Sequence, residues 1–330
     1  ALFYQMVRRL EQMGELSKET VFIDGTKLEA CANKYTFVWK KSVGKWEEKM
    51  FHKIQEAVRL LNHDYMQSFT VNAESRAQDL QKISSYLEEK CQQDGTEFVY
   101  GRGRRKSKNQ KYLELFQRFR ERQVTYNWHT ASFQGRNNYC KTDPDATFMH
   151  MKDDHMRNAQ LKPGYNIQIG VDSEYIVSAD VFQDRNDVWT LVPFLKMMDE
   201  KLWFRYPSVT ADSGYESEEG YTYLRSSGQK PYIKPQTYEK WKKRSFKQDI
   251  SKRENMGYDK ETDTYTCHAG KKLKALFVKK QKSKSGYESE VTVYECDDCT
   301  YCPHKEKCTR AKGNKRLYIC LLYTSDAADE

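Results

Sequence analysis

The sequence predicts an α/β fold in which a mixed sheet is flanked by helices. Short β-like segments, such as VFID from Val21 and YIVSADV from Tyr175, alternate with segments of helical periodicity. Alternation of this kind is typical of sheets that are covered by helices. The chain has 330 residues, of which 38% are hydrophobic, so it is long and apolar enough to build a core.

The first element is predicted to be a β-hairpin over residues 20–41, because VFI and KYTFVWKK are β-like and a Gly-Thr turn follows the first of them. Residues 44–125 then predict a helical block. Its first helix has apolar residues at intervals of three or four. They are Trp46, Met50, Ile54, Val58, Leu61 and Tyr65. Asn72 is a candidate cap for a second helix, and residues 108–123 predict a third, basic helix.

Strand patterning returns at residues 164–183, where Ile167, Ile169 and Val171 alternate with polar residues and predict a second hairpin. A helix is expected at residues 187–202. It is followed by the strand SVTAD, a short helix that stops at Gly228, and the strand PYIKP. Beyond Pro235 the sequence is rich in lysine and cysteine. This order predicts a mixed sheet that is interrupted by a helical insertion and by a Cys/Lys-rich insertion.

Two aspartates share one local pattern, a short apolar strand that ends in Asp before a turn. They are Asp24 in VFIDGT and Asp212 in SVTADSGY. In an α/β sheet, ligands bind beyond the carboxyl ends of strands, so neighbouring strands would bring the two carboxylates together. Like charges repel, and a hard divalent cation such as Mg²⁺ relieves the repulsion. The alternative for each aspartate is an ordinary turn or helix-cap residue.

The sequence around these aspartates resembles that of a known protein family. The segments FIDGTKLEACANKYTFVWKK, DPDATFMHMKD, LKPGYNIQIGVDSEYIVSADV, DRNDVWTLVPFL and VTADSGYESEEGYTYL occur in its order. Together they resemble bacterial insertion-sequence transposases with an Asp-Asp-Glu active site on a ribonuclease H-like fold. The resemblance covers residues 1–319. It implies that Asp24 and Asp212 are the first two catalytic carboxylates.

The resemblance also implies a chemistry. Mg²⁺ or Mn²⁺ ions at Asp24 and Asp212 would assist hydrolysis of a phosphodiester at a transposon end, and the freed 3′-hydroxyl would attack target DNA. The family's third carboxylate, a glutamate on a helix, has no match here, so we expect this fragment to be inactive. The alternatives are a non-catalytic DNA-binding remnant and a nuclease of the same fold. The expected partner is double-stranded DNA, bound by a homodimer.

The net charge of +9 is unevenly distributed, and three runs are strongly basic: residues 101–125, 240–253 and 271–284. Lysine and arginine displace the counterions that condense on phosphates, so such runs suit nucleic acid. Each run alone is also compatible with a solvated surface. The candidate phosphate contacts are Arg102, Arg104, Arg105, Lys106 and Lys234.

The cysteines predict a metal site more readily than a disulfide framework. Cys296, Cys299, Cys302 and Cys308 follow the spacing C-x2-C-x2-C-x5-C, with Cys267, His268 and His304 as further candidates. This set suits zinc, which would fold a polar insertion that has no core of its own. The alternative is reduced, unliganded thiols. Cys31, Cys91 and Cys140 are expected to be small core residues.

The expected domain organisation has six parts. Residues 1–19 end an N-terminal helical region, 20–43 form the first hairpin of the catalytic core, and 44–125 are the helical basic insertion. Residues 126–235 continue the core, and 236–319 form the Cys-rich insertion. Residues 320–330, CLLYTSDAADE, look like a translated sequencing adapter, with a polar tail as the alternative. No apolar run or signal peptide points to a membrane, so a cytoplasmic protein is expected.

Overall fold

The computed structural model describes residues 2–101, 105–151, 160–283 and 285–320. The chain divides into two compact units. Unit 1 comprises Ala1–Thr26, Asn166–Phe182 and Asn186–Glu330, and unit 2 comprises Lys27–Tyr165 and Gln183–Arg185. The domain boundaries predicted from the sequence stay a prediction. The adapter-like segment lies outside the described residues, apart from Cys320.

The described residues form nine α-helices and thirteen strands. The helices are α1 (Leu2–Gln12), α2 (Lys40–Tyr65), α3 (Arg76–Gln93), α4 (Lys108–Phe133), α5 (Leu191–Lys201), α6 (Glu218–Ser226), α7 (Tyr238–Trp241), α8 (Arg244–Lys247) and α9 (Lys305–Cys308). The strands are β1 (Thr20–Glu29), β2 (Phe37–Trp39), β3 (Asn138–Cys140), β4 (Thr147–His150), β5 (Leu161–Asp172), β6 (Tyr175–Phe182), β7 (Ser208–Ala211), β8 (Lys230–Ile233), β9 (Gly257–Asp259), β10 (Thr264–Thr266), β11 (Lys272–Lys282), β12 (Glu288–Cys296) and β13 (Arg316–Cys320). No helix formed by these residues has the length and apolar character of a membrane span.

Unit 1 is built around a mixed sheet in which β1 and β7 are parallel neighbours, with Ile23 opposite Ala211. β7 also pairs in parallel with β8. Parallel neighbours need a crossover connection, and α6 supplies the one between β7 and β8. β5 and β6 pair antiparallel, which confirms the second predicted hairpin. The predicted mixed sheet with flanking helices is therefore confirmed.

The core of unit 1 forms where α5 packs against this sheet. Leu191, Leu195 and Met198 recur at helical spacing on one face of α5 and are buried. They belong to one apolar cluster with Val21 and Val209, which point inward from the two parallel strands. Burial of Val21 and Ile23 on one face of β1 gives the β1–β7 pair a fixed register, and this register determines where the residues after Ile23 and Ala211 lie.

The predicted hairpin at residues 20–41 is wrong. β1 pairs in parallel with β7, and β2 instead pairs antiparallel with β3, with Val38 opposite Tyr139. Local patterning indicates that two segments are β-like, but it does not say which distant segment each will pair with. β1 lies between β5 and β7 in the sheet order, so neither of its sides is free to pair with β2.

Unit 2 contains the predicted helical block, formed by α2, α3 and α4. Ile54 and Leu61 of α2, Leu80 and Leu87 of α3 and Phe116 of α4 are fully buried against one another. The predicted inward face of α2 is therefore confirmed, with the exception of Trp46, which is 56% exposed. The cap of α3 is Ser75 in place of Asn72.

The Cys/Lys-rich segment of unit 1 folds as a second, antiparallel sheet with the order β13-β12-β11-β10-β9. It has a small core of its own, in which Tyr265, Leu273, Tyr294 and Ile319 are buried together with two cysteines. The expectation that this segment builds no core is therefore wrong. The tyrosines supply the large buried area that a polar composition does not suggest.

A buried carboxylate, Asp172 at the end of β5, binds the segment that precedes β1. It accepts hydrogen bonds from Ser17 Oγ (2.7 Å), Lys18 N (3.0 Å), Ser173 Oγ (2.9 Å) and Tyr206 OH (3.1 Å). Burial alone would raise the pKa of Asp172, but these hydrogen bonds outweigh it and hold the pKa below the usual 3.8. The carboxylate form is therefore the one that the folded state prefers.

We expect Asp172→Asn to lower the free energy of unfolding at pH 7 by about 2–3 kcal/mol, because an amide nitrogen cannot accept these hydrogen bonds. The contribution of Asp172 is present above its ordinary pKa and is lost as the pH falls through the lower folded value. Urea unfolding between pH 7 and pH 3 measures it. The difference between wild type and variant should shrink at the acid end, and a constant difference would contradict this account.

Candidate active site

The two predicted catalytic aspartates follow the last residue pair of the parallel β1–β7 pairing, at the side of the unit 1 sheet where its parallel strands have their carboxyl ends, here called its carboxyl edge. Asp24 follows Ile23, and Asp212 follows Ala211, which is the residue opposite Ile23 in the parallel β1–β7 pair. The side chains are fixed locally: Asp24 Oδ1 accepts from Gly25 N at 2.7 Å, and Asp212 Oδ1 accepts from Gly214 N at 2.7 Å. β1 continues to Glu29, so Asp24 lies within its strand and not at the end, as the sequence had suggested.

A third carboxylate, Asp187, lies against both aspartate segments. A Cβ atom built on Gly25 would be 3.2 Å from Asp187 Oδ1, and one built on Gly214 would be 3.4 Å from Asp187 Oδ2. Asp187 begins the short 3-10 turn Asp187–Trp189 that precedes α5. The Asp187 carboxylate therefore lies next to both Gly25, which follows Asp24, and Gly214, which lies two residues after Asp212.

Asp187 is held in place by amide side chains from β5. Its Oδ1 accepts from Asn166 Nδ2 at 2.8 Å and from Gln168 Nε2 at 3.3 Å. Gln168 Nε2 also donates to Asn166 Oδ1 at 3.0 Å, and Tyr215 OH donates to Gln168 Oε1. These hydrogen bonds form a buried network that fixes the orientation of the Asp187 carboxylate.

Tyr215 lies close enough to all three carboxylates for their charges to act on its phenol. Burial raises the pKa of its phenol, and the negative charges of Asp187, Asp24 and Asp212 raise it further. Three carboxylates therefore act on one buried hydroxyl. Tyr215 stays a neutral donor toward Gln168 at any physiological pH.

Sequence reasoning did not assign Asn166, Gln168, Asp187 or Tyr215 to the site. A signal was present in β5, where Asn166 and Gln168 are fully buried, whereas the apolar Ile167 between them and Ile169 after them are only partly buried. Alternation in a strand defines two faces, but it does not reveal that the polar face is the one turned inward. Buried amides on a strand are rare enough to mark a structured polar site.

A comparison of the sequence with models of protein families identifies the family of this chain. The model of the transposase DDE domain matches residues 136–318, which is more than half of the chain. The chain belongs to the DDE transposase family. The match includes Asp187 and Asp212 and leaves Asp24 outside it. No curated protein and no solved structure matches the chain.

Gly25 has very little room for a side chain. A Cβ there would lie 2.5 Å from Gln168 Nε2 and 2.9 Å from Tyr215 OH, and both of these side chains are fully buried. Neither group can move without breaking the network that holds Asp187. A small residue after Asp24 is therefore required by packing.

We expect Gly25→Ala to lower the free energy of unfolding by about 1–3 kcal/mol, the usual cost of overpacking. The matched control is Gly313→Ala, because a Cβ at Gly313 meets no atom within 4 Å. Urea unfolding of both variants measures the difference. Equal stabilities for the two variants would show that the Asp187 network is not tightly packed.

The predicted phosphate contacts of the transposase are distributed over both units. In unit 1, Lys234 follows Ile233, which lies opposite Ala211, so Lys234 and Asp212 leave the sheet at the same edge. Lys234 Nζ is 2.7 Å from Glu239 Oε1 and 5.0 Å from the centre of the Tyr238 ring. Its ammonium group is already engaged with an exposed carboxylate, which is a weak and exchangeable partner.

The remaining basic candidates belong to unit 2 or lie outside the described residues. Arg105 is exposed, and Lys106 Nζ is 2.6 Å from Glu114 Oε2. Arg102 and Arg104 lie outside the described residues. Contact with DNA stays a prediction for all of these residues.

The cysteines of the Cys-rich segment do come together. The thiols of residues 267, 296, 299, 302 and 308 line one pocket with the imidazoles of residues 268 and 304. Across the described ranges, no three His, Cys, Asp or Glu side chains are already arranged to hold a metal ion. Cys91 and Cys140 are buried as predicted, but Cys31 is exposed, so its predicted core position is wrong.

Proposed function

We propose that this chain carries the catalytic centre of a transposase that cuts and joins DNA phosphodiesters with divalent ions bound at Asp24 and Asp212. The main support for this proposal is the parallel β1–β7 register, which brings these two aspartates to the carboxyl edge of the sheet. Asp187 lies next to Gly25 and Gly214, the glycines that follow them. The same arrangement supports a ribonuclease H-like fold for the sheet of unit 1. Members of the DDE transposase family act on DNA, and the family match supports that substrate here.

The residues at this edge fit Mg²⁺ or Mn²⁺. Their donor atoms are carboxylate oxygens, which hard cations prefer, and three negative charges act together on the buried Tyr215. Mg²⁺ is commonly bound by one or two carboxylates, with water and substrate phosphate completing its coordination. Asp24 and Asp212 would hold the ions. When bound, such ions lower the pKa of water and stabilise charge on the phosphate.

The chain's own residues position the reaction. The amides of Gly25 and Gly214 fix Asp24 and Asp212, and the buried Asn166–Gln168 pair fixes Asp187. Because these carboxylates are already held in place, their side chains need to move little when a phosphodiester is positioned for in-line attack. Lys234 contacts a DNA phosphate after exchange of its exposed partner Glu239. The reaction is hydrolysis at an element end, followed by attack of the freed 3′-hydroxyl on target DNA.

The test uses the complete open reading frame that contains this sequence, incubated with plasmid DNA that carries the element's terminal sequences. We expect cutting at the element ends and joining to target DNA with Mg²⁺ or Mn²⁺, and neither product in EDTA. Cutting without joining would indicate a nuclease of the same fold. Salt-sensitive DNA binding without any ion-dependent product would indicate a non-catalytic DNA-binding protein and would overturn the proposal.

A further inference from the structure

A second candidate site lies in the antiparallel sheet of unit 1, which is a different sheet from that of the carboxylates, and it is independent of the proposed function. Five cysteines and two histidines line one pocket there. They are Cys267, His268, Cys296, Cys299, Cys302, His304 and Cys308. All five cysteines are free thiols. Packing alone does not require so many soft metal-ligand side chains around one small pocket.

Pairing of β11 with β12 brings a distant cysteine to this pocket. Cys267 lies on the turn between β10 and β11, which is closed by the hydrogen bond from Cys267 N to Lys271 O (2.9 Å). Leu273 of β11 lies opposite Cys296, the last residue of β12. The turn therefore sits beside the loop that leaves β12, although the sequence separates the two by almost thirty residues.

Cys299 has the local geometry of a metal-ligand thiolate. Its Sγ accepts a hydrogen bond from Lys315 N at 3.4 Å, and its carbonyl accepts from Cys302 N at 3.5 Å. Backbone N–H groups that point at sulfur orient a thiolate and stabilise its charge. A neutral thiol, which is only a weak acceptor, gains little from such a donor.

The thiols of the pocket lie around the small core of the antiparallel sheet. Cys299 belongs to that core, Cys267 and Cys308 pack against it, and Cys302 lines the same pocket. Cys296 also lines the pocket beside Cys299, but its Sγ donates to Asp298 O at 3.9 Å, as a protonated thiol does, whereas Cys299 Sγ accepts a hydrogen bond. This difference favours Cys267 over Cys296 as the fourth ligand.

Lysine side chains also line the pocket and would offset the excess negative charge of several thiolates around one cation. They are Lys271, Lys305 and Lys315. Lys271 Nζ is held by Asp298 O at 2.7 Å, and Lys315 Nζ by Cys308 O at 3.1 Å. The ammonium groups are therefore anchored to the same loops that carry the thiols.

We propose that Cys267, Cys299, Cys302 and Cys308 bind one zinc ion that fastens the β10–β11 turn to the loops after β12. Zinc takes four ligands in a tetrahedral arrangement, and thiolates are among those it prefers. Within the described ranges no three candidate ligands are already in ligating positions, so binding involves rotation of the thiols about their side-chain bonds. The ion has a structural role, which is separate from the cation-dependent chemistry at Asp24 and Asp212.

The test is the metal content of the 330-residue chain, purified under reducing conditions and measured by plasma mass spectrometry after zinc loading and desalting. We expect about one zinc per chain for wild type and a loss of most of it for Cys267→Ser. The controls Cys296→Ser and Cys91→Ser should keep the full content. Retention of zinc by Cys267→Ser, or its loss only in Cys296→Ser, would overturn the assignment.

A measurement on the wild-type chain covers the case in which a variant fails to fold. Replacement of zinc by Co²⁺ should give the intense sulfur-to-cobalt absorption and the visible bands of a tetrahedral tetrathiolate. Titration of thiols with a mercurial should release zinc as these four cysteines react. A wild-type chain that takes up neither zinc nor cobalt would show that the pocket holds reduced, unliganded thiols, and the proposal would fail.

Discussion

Asp212→Asn and, separately, Asp24→Asn should abolish Mg²⁺-dependent cutting of DNA by the complete protein. Each change removes one negative charge from a site that is proposed to hold divalent ions while keeping the size of the side chain. We expect a loss of about 100-fold or more, the scale on which removal of one charge-stabilising group lowers kcat. Gel analysis of plasmid cutting and joining, with Mg²⁺ and with Mn²⁺, measures the effect.

The matched control for these variants is Glu200→Gln, which removes a carboxylate from an exposed position on α5. It should cut DNA like wild type. Circular dichroism and urea unfolding establish that the aspartate variants are folded. A folded Asp24→Asn or Asp212→Asn protein with undiminished cutting would show that the carboxylate pair does not carry the reaction.

Asp187→Ala should weaken divalent-ion binding to the 330-residue chain by about 10–100-fold, the usual effect of losing a group that orients metal ligands. Asp187 lies against Gly25 and Gly214 and is fixed by Asn166 and Gln168. Its removal frees both aspartate segments and leaves two buried amides without their partner. Titration with Mn²⁺, followed by electron paramagnetic resonance, gives the dissociation constant.

Asp187→Asn tests whether Asp187 acts by positioning the neighbouring aspartates or only by filling space. The variant keeps the shape but replaces one oxygen with a nitrogen that cannot accept from Asn166. In the complete protein, a positioning role predicts that the Mg²⁺ concentration for half-maximal cutting rises in both variants and that excess Mg²⁺ restores part of the activity. Unchanged Mn²⁺ affinity in both variants would show that Asp187 is only a structural residue.

The neighbouring positions of Asp24 and Asp212, which are proposed to be catalytic, were predictable because they depend on local sequence. Each follows a short apolar segment, and parallel pairing of these two segments brings the residues after them together. The helical block was predictable for the same reason, since burial of Ile54, Leu80 and Phe116 follows from helical spacing alone.

The remaining parts of the site depend on pairings between distant segments. Strand propensity does not distinguish β7 from β2 as the partner of β1, so residues 20–41 resembled a hairpin. Asp187 precedes a helix in a polar stretch, and only the fold places it against Gly25. Cys267 is close to the other thiols only through the β11–β12 register. Such contacts between distant segments carry no local periodicity.

The most direct test of the central claim is to map where a divalent ion binds on the 330-residue chain. Fe²⁺ that replaces Mg²⁺ generates hydroxyl radicals with ascorbate and peroxide, and these cut the backbone next to the bound ion. We predict cuts near Asp24, Asp187 and Asp212, suppressed by excess Mg²⁺ and lost in the Asp24→Asn/Asp212→Asn double variant. Cuts confined to other segments, or cuts at these positions that persist in the double variant, would contradict a divalent-ion site at this edge of the sheet.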